Sequence, residues 1–289
     1  MKAARMLMQI RDALSNLNPA EVRDLARRPV SIELFASTPR IHEEMSNYFA
    51  PAAKRAAESH LDAPGVVRSG SDPYAPVVIR IYEEGTTPDP GGFVYQRAKP
   101  ERVVCEIIER LPDLKIALAR NYTAFRKPVS DHLIFTVSKE NAFFSVATSV
   151  PALMPILAVP WAVGEFASDT AFLTMNQVRM AFMLAAANDQ TIGYRQQKAE
   201  IASLFAGAFG WRAIARELIG VIPMGAGIIP KAGIAFAGTY VVGISLERFY
   251  RMGAGMTAAE RKQAYKDALD RGKAIAANLL NSYKAQKAG

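Results

Sequence analysis

The stretch IGVIPMGAGIIPKAGIAFAGTYVVG, residues 219–243, decides how the second half of this chain is interpreted. It is apolar enough for a membrane, yet it contains two prolines, six glycines and, in its middle, Lys231. It can be a transmembrane helix, a hydrophobic turn on a helical bundle, or a ligand-binding loop. The segments on either side of it decide among these three.

A second apolar break, PALMPILAVP at residues 151–160, has three closely spaced prolines. Proline lacks an amide hydrogen and clashes with the preceding turn, so no straight helix passes through this segment. The intervening patterns predict helices at 128–150, 161–188, 197–220, 231–251 and 257–284. Thr257 and Glu260 form a predicted capping box at the last of these helix starts.

Antiparallel neighbours place every second turn at the same end of a bundle. The apolar turns at 151–160 and 220–230 should therefore share one end, and the polar turns at 189–196 and 252–256 the other. We interpret the opening stretch as half of a hydrophobic tip and not as one spanning helix. The tip residues are Leu153, Met154, Ile156, Leu157, Trp161, Ile222, Met224, Ile228, Ile229 and Lys231.

Both apolar segments would satisfy a membrane criterion based on length and composition. Residues 141–164 are 24 positions without a charge, and residues 218–246 carry only Lys231. About 20 apolar residues suffice to span a bilayer. Buried helices of a soluble bundle also contain long apolar runs, so a tip in lipid and a tip in a soluble bundle both remain open.

Two charged pairs should lie near this tip. Glu165 and Asp169 follow the first apolar turn, while Arg212 and Arg216 precede the second at similar depths. Pairing Glu165 with Arg216, and Asp169 with Arg212, would neutralise charges close to an apolar end. The alternative is that all four side chains are in water.

The first half predicts a small α/β layer. RPVSIELFAS (28–37) and PVVIRIYEE (76–84) are rich in β-branched residues and bounded by turn formers, which indicates strands. Helices are predicted at 39–61 and 99–111, and GTTPDPGG (85–92) as a loop. The chain is thus predicted to be α+β, with a small α/β domain (1–126) followed by an antiparallel all-α bundle with an apolar tip (127–289).

The net charge of +8 favours an anionic partner, and from Arg251 onward eight Lys/Arg stand against three Asp/Glu. Lys231 would extend from the tip to a lipid interface. If the last helix lies along a bilayer, its basic side chains could contact anionic headgroups; otherwise they form a solvated helix surface. These residues are Arg261, Lys262, Lys266, Arg271 and Lys273. Few aromatic residues alternate with these basic residues, so a nucleic acid is not the favoured partner.

The residues of common catalytic sites are missing from the sequence. There is no GxxxxGK[ST] phosphate loop, no HExxH metal motif and no GxSxG nucleophile elbow. The single cysteine, Cys105, lies in a helical pattern and is expected in the core. We therefore expect no enzyme activity, no cofactor and no metal.

The segments SVPALMPILAVP, EFASDTAFLTMNQVRMAFMLAA and IARELIGVIPMGAGIIPKAGIAFAGTYVVG occur in that order within residues 141–250. In this order they resemble the YcjF-like family, a bacterial helical domain of unknown function recurrently associated with small GTPases. The resemblance implies an inner-membrane protein and gives no catalytic residues. The N-terminal segment MKAARMLMQIRDALSNL lacks a secretion signal, so we expect the chain at the cytoplasmic face of that membrane, or otherwise in the cytoplasm. It leaves residues 1–126 as a degenerate GTPase relic or an unrelated adaptor domain.

Together these patterns predict a non-enzymatic, membrane-associated accessory or scaffold protein that works with a GTPase. The expected partners are a lipid membrane and either a GTPase or a second copy of the chain. The alternative is a soluble interaction module whose apolar tip binds a protein.

Overall fold

The computed structural model describes residues 17–50, 52, 77–149, 169–202 and 227–288. Within these ranges the chain is mostly helical and has one small parallel sheet, which confirms the α+β class. The chain forms two compact units. We call the unit of residues 20–131 and 185–191 the α/β unit, and the unit of residues 1–19, 132–184 and 192–289 the helical unit.

The α/β unit contains the sheet and the shorter helices. In chain order its elements are α1 (Pro19–Arg27), β1 (Val30–Phe35), α2 (Pro39–Tyr48), β2 (Val77–Glu83), β3 (Phe93–Tyr95), α3 (Glu101–Arg110), a 3₁₀ turn (Pro112–Leu114), α4 (Lys115–Asn121) and the start of α5 (Thr123–Ala147). α5 continues from His132 into the helical unit.

The sheet has the order β1-β2-β3, and both strand pairs are parallel. Val30 pairs with Val77, and Ile81 pairs with Phe93. The two predicted strands are confirmed, whereas β3 was missed because three residues are too few to show an alternating pattern. The loop before β3 turns back through Gly85 and Gly91, whose φ angles of 91° and 87° suit glycine.

The expectation that Cys105 lies in the core is wrong, because its side chain is exposed. α3 buries Val103, Val104, Ile107 and Ile108, which form one helical stripe. Cys105 is in the same helical pattern but lies outside that stripe. Its exposure follows from its position on the helix relative to the apolar stripe, and not from its residue type.

The helical unit is built from α5 from His132 onward, α6 (Asp169–Ala187), α7 (Ile228–Met252) and α8 (Ala258–Ala288). α5 and α7 are antiparallel, since Asn141 bonds to Thr239 while Lys231 bonds to Thr148. α7 and α8 are antiparallel as well: Gly233 lies against Leu269, and Arg248 pairs with Glu260. The core of this pair centres on Phe236 and Tyr265, both buried.

Two helices begin earlier than predicted. α5 begins at Thr123 and has Pro128 inside it, and α7 begins at Ile228 with Pro230 in its first turn. In a first turn the missing amide hydrogen costs nothing, because it would have no partner within the helix. The helix predicted at 161–188 is confirmed over Asp169–Ala187. Of the helix predicted at 197–220, residues 198–202 are helical and the rest lies outside the described residues.

The capping box at the start of α8 is confirmed. The Thr257 amide donates to Glu260 Oε2 at 2.8 Å, and the Glu260 amide donates to Thr257 Oγ1 at 3.3 Å. Arg248 also donates to Glu260 at 2.8 Å. The turn before it begins at Gly253, where a φ of 73° ends α7.

Candidate functional site

Three helix ends meet at one end of the helical unit, which we call the proximal end. The ammonium group of Lys231, in the first turn of α7, donates to Thr148 Oγ1 at 3.2 Å and to Ser149 Oγ at 3.4 Å, just after α5. α6 starts at the same end, because the Phe172 ring near its start stacks on Phe144 of α5 at 3.7 Å. The described residues that flank both predicted apolar turns therefore lie together.

α7 is the element that makes this end unusual. Among the described residues it is the one helix long and apolar enough to cross a membrane, and 44% of its most apolar window is buried. No charge occurs between Lys231 and Glu247. Residues on the half-buried side are apolar too, for example Ile234, Val242 and Ile244. α7 thus lacks the polar side that a surface helix of a soluble protein normally has.

The predicted tip is described only in part. Ile228 and Ile229 are half-buried and pack against the core of α7 and α8, while Lys231 is exposed. The other predicted tip residues lie outside the described residues: Leu153, Met154, Ile156, Leu157, Trp161, Ile222 and Met224.

The predicted ion pairs also lie largely outside the described part of the chain. Asp169 is the first residue of α6. Glu165, Arg212 and Arg216 are outside the described residues, so both pairings stay predictions.

The basic residues of α8 have different environments. Arg261 donates to the carbonyl of Met256, Arg271 lies 4.4 Å from the centre of the Phe135 ring, and Lys273 pairs with Asp270 at 3.1 Å. Lys262 and Lys266 are exposed, one helical turn apart. The exposed acids Asp267 and Asp270 lie between these basic residues, so α8 does not present a purely basic surface.

Sequence reasoning missed a buried polar cluster at the centre of the helical unit, formed by Asn141, Asn176, Gln177 and Thr239. Asn141 Nδ2 donates to Thr239 Oγ1 at 2.7 Å, and Asn176 Nδ2 donates to Asn141 Oδ1 at 2.9 Å. Gln177 Nε2 reaches the same threonine hydroxyl at 3.2 Å. The cluster therefore joins α5, α6 and α7. The signals in the sequence were Asn141 at the start of one uncharged run and Thr239 within another.

In the α/β unit, polar groups gather where the parallel strands end, the usual ligand position in such sheets. Here the chain supplies its own anion: Glu83 Oε2 accepts from the Ser37 amide and from Ser37 Oγ, both at 2.7 Å. The Ser37 amide, followed by its hydroxyl, lowers the pKa of Glu83. Nearby, Arg97 donates two hydrogen bonds to Glu44, and this hydrogen bonding is the main cause of the lowered pKa of Glu44. The polar groups at the strand ends are therefore hydrogen-bonded to each other.

No group of three potential metal ligands occurs among the described residues. Of the histidines, His42 and His132 are half-buried on separate helices, and His60 lies outside the described residues.

No protein-family model matches the chain, and searches of curated proteins and of solved structures found no similar protein. The resemblance to the YcjF-like family stays a prediction from the residues quoted above.

Proposed function

We propose that the protein is a non-enzymatic, membrane-associated accessory protein whose helical unit docks its proximal end into a lipid bilayer. The observation that carries this proposal is α7, a 25-residue helix without a charge between Lys231 and Glu247. A helix that is apolar all round needs either complete burial or contact with lipid. Its most apolar window is 44% buried, and we infer that its half-buried apolar residues are available to lipid.

The same helices argue for shallow docking over spanning. Gly233 of α7 lies against Leu269 and Lys273 of α8, so the charged middle of α8 is level with the first two turns of α7. The Asp270 side chain is 83% exposed there, and Lys266 and Asp267 are exposed as well. Each charge taken into the bilayer centre costs about 3 kcal/mol. A spanning arrangement would therefore carry a large penalty.

α8 runs antiparallel to α7, so its residues after Lys273, including Lys284 and Lys287, lie on the membrane side of Gly233 and would enter with it. Docking to the level of Gly233 would insert about 8 Å of α7, at 1.5 Å per residue. That is the depth of an interfacial helix, about 5–10 Å below the headgroups. Lys231 and Lys273 would then be level with anionic headgroups, to which basic side chains are attracted. The exposed acids on α8 would remain in water.

The directions of α5, α6, α7 and α8 support an antiparallel bundle whose two apolar turns share the proximal end. A membrane-docked bundle with an α/β unit suits a scaffold at the cytoplasmic face of the inner membrane. We also propose a GTPase as a protein partner, on the basis of the family resemblance alone.

A second candidate is a soluble interaction module. Ile228 and Ile229 pack against the core, and Lys231 is hydrogen-bonded to Thr148 and Ser149. An apolar end held this way also fits a protein partner, either a GTPase or a second copy of the chain.

Liposome flotation separates these functions. Wild type should float with phosphatidylcholine vesicles that contain phosphatidylglycerol, and less with phosphatidylcholine alone. Ile229→Asp should abolish flotation, and Lys231→Glu, which changes an exposed residue, should weaken it on anionic vesicles. Met252→Asp, at the other end of the same helix, is the matched control and should float like wild type.

Circular dichroism and gel filtration of each variant exclude misfolding as the cause. If wild type stays at the bottom with both kinds of vesicle, the membrane proposal fails and the soluble module takes its place.

A further inference from the structure

Three of the five exposed large apolar side chains among the described residues lie at one end of the helical unit. They are Met252 (58% exposed), Phe249 (42%) and Tyr194 (40%). Phe249 and Met252 are three residues apart on α7, so they lie on the same side of its last turn. All three side chains are large enough to anchor a partner.

Contacts within the helical unit place Tyr194 at the same end as Phe249 and Met252. A Cβ added at Gly243 of α7 would lie 3.1 Å from Met180 Sδ of α6, so these two parts of the helices are level. Phe182, two residues further along α6, holds the Tyr194 ring edge-on at 5.3 Å. The Tyr194 hydroxyl donates to the Leu17 carbonyl at 2.8 Å, which fixes the ring.

Basic side chains lie at the same end of the helical unit. Arg248 pairs with Glu260, and Arg251 pairs with Glu247, so these four charges balance. Within residues 194–200 and 257–262, the exposed charges outside these pairs are positive: Arg195, Lys198, Arg261 and Lys262. The nearby acid is Glu200. Burial is the main cause of the raised pKa of Tyr250, and the charge of Glu200 raises it further.

This group of residues has the composition of a protein-binding site. Tyrosine, phenylalanine, methionine and arginine are enriched in the cores of protein interfaces, and arginine and tyrosine dominate their hot spots. We name Tyr194, Arg195, Lys198, Phe249, Met252, Arg261 and Lys262 the distal surface.

Its position separates the distal surface from the lipid. Met252 lies about 36 Å along the axis of α7 from Ile228, at 1.5 Å per residue. Surface charges act over a Debye length of only about 8 Å at physiological salt. With the proximal end docked, the distal surface is beyond the reach of headgroups, so lipid does not occupy it.

We propose that the distal surface binds an acidic segment of a partner protein, with apolar side chains of that segment seated on Phe249 and Met252. The proposal rests on the proposed function in one respect, because docking at the proximal end is what excludes lipid as the occupant. Charge complementarity specifies the acidic character of the segment, and the exposed aromatic and methionine side chains specify its apolar anchors.

The test uses two fluorescein-labelled synthetic peptides, one alternating glutamate with leucine and the other alternating glutamine with leucine. Fluorescence anisotropy should show the glutamate peptide binding at least about tenfold more tightly to the full chain, a difference of ~1.4 kcal/mol. Added salt should reduce this difference. Phe249→Ser with Met252→Ser, and separately Lys198→Glu with Lys262→Glu, should each remove the preference.

The matched control reverses two exposed lysines elsewhere, Lys99→Glu with Lys139→Glu, and should bind the glutamate peptide like wild type. Equal affinity for the two peptides would overturn the proposal, as would unchanged binding by the Lys198→Glu, Lys262→Glu variant.

Flotation of the same variants tells the two proposals apart. In the wild type, a missing peptide preference with intact flotation overturns the distal surface alone, whereas a peptide preference without flotation supports it and overturns membrane docking alone. If Phe249→Ser with Met252→Ser abolishes flotation while Ile229→Asp floats, lipid occupies the distal surface and both proposals are overturned.

Discussion

Glu260 holds the first turn of α8 through three hydrogen bonds at once. Arg248, the Thr257 amide and the Thr257 hydroxyl all donate to its carboxylate at 2.8–2.9 Å. The side-chain hydrogen bond from Arg248 is the largest cause, followed by the bonds from the Thr257 amide and hydroxyl. Together they lower the pKa of Glu260 from 4.5 to about 2. The carboxylate must therefore be ionised for the cap to contribute fully to stability.

This arrangement predicts a specific pH dependence. The folded-state pKa lies below the unfolded-state value, so the stabilisation is fully present above about pH 5 and is lost as pH falls toward about 2. Wild type should exceed Glu260→Gln in free energy of unfolding at neutral pH, and this excess should shrink on acidification. Urea unfolding at several pH values measures it.

Ser282→Ala changes α8 without removing a carboxylate, so the same pH series on it corrects for general acid effects. A difference between wild type and Glu260→Gln that stays constant from neutral pH to pH ~3 would contradict the assigned role.

Asn141 is the residue on which the buried cluster depends, since it bonds to both Asn176 and Thr239. Asn141→Leu keeps the volume but leaves the amide of Asn176 without this acceptor in a buried site. We expect a loss of about 1–3 kcal/mol in the free energy of unfolding, the usual cost of an unmade buried hydrogen bond. Chemical denaturation measures the loss.

Asn278→Leu, an exposed asparagine on α8, is the matched control and should change stability by less than about 0.5 kcal/mol. Equal effects of the two substitutions would show that the cluster adds no stability.

At the scale of elements, α7 and α8 approach closely where Gly233 and Gly272 meet. A Cβ added at Gly272 would lie 2.7 Å from Phe236 Cβ and 3.1 Å from the backbone of Gly233. Neither is the flexible end of a side chain, so the helices must move apart. Gly272→Ala should therefore lower stability by about 1–3 kcal/mol despite the better helix propensity of alanine.

Gly238→Ala is the matched control, because a Cβ there meets nothing within 4 Å. It should raise stability by roughly 1 kcal/mol through helix propensity alone. Thermal unfolding followed by circular dichroism compares the two variants, and a stabilising Gly272→Ala would contradict the close approach.

Local patterns predicted most elements, because their causes are local. Alternating β-branched residues marked β1 and β2, and Thr257 with Glu260 marked the start of α8. β3 was missed because its three residues depend on pairing with β2, a contact that the sequence does not display. The starts of α5 and α7 were placed too late because Pro128 and Pro230 were read as boundaries, whereas both lie within helices.

At the scale of the whole molecule, the sequence predicted an apolar end of the bundle, most of which lies outside the described residues, but it did not predict how the charges are arranged. Lys231 was predicted at the tip, yet its bonds to Thr148 and Ser149 depend on the packing of α5 against α7. The basic residues of α8 were grouped by composition, and their separate contacts with Met256, Phe135 and Asp270 arise only in the fold. The distal surface was missed because its residues are distant in sequence.

The central claim is that the proximal end of the helical unit enters lipid while the distal end stays in water. The single cysteine makes a direct measurement straightforward. In a Cys105→Ser background, Gly227→Cys places a label at the proximal end, and Gly255→Cys places one in the turn before α8. Both glycines are exposed, and an added Cβ meets nothing within 4 Å at either, so neither substitution should disturb the fold.

Each variant is labelled with an environment-sensitive nitrobenzoxadiazole group and mixed with phosphatidylglycerol vesicles that contain brominated lipid. We predict a blue shift and quenching of the label at position 227, and neither at position 255. Quenching at position 255 without quenching at 227, or no response at either position, would contradict the account.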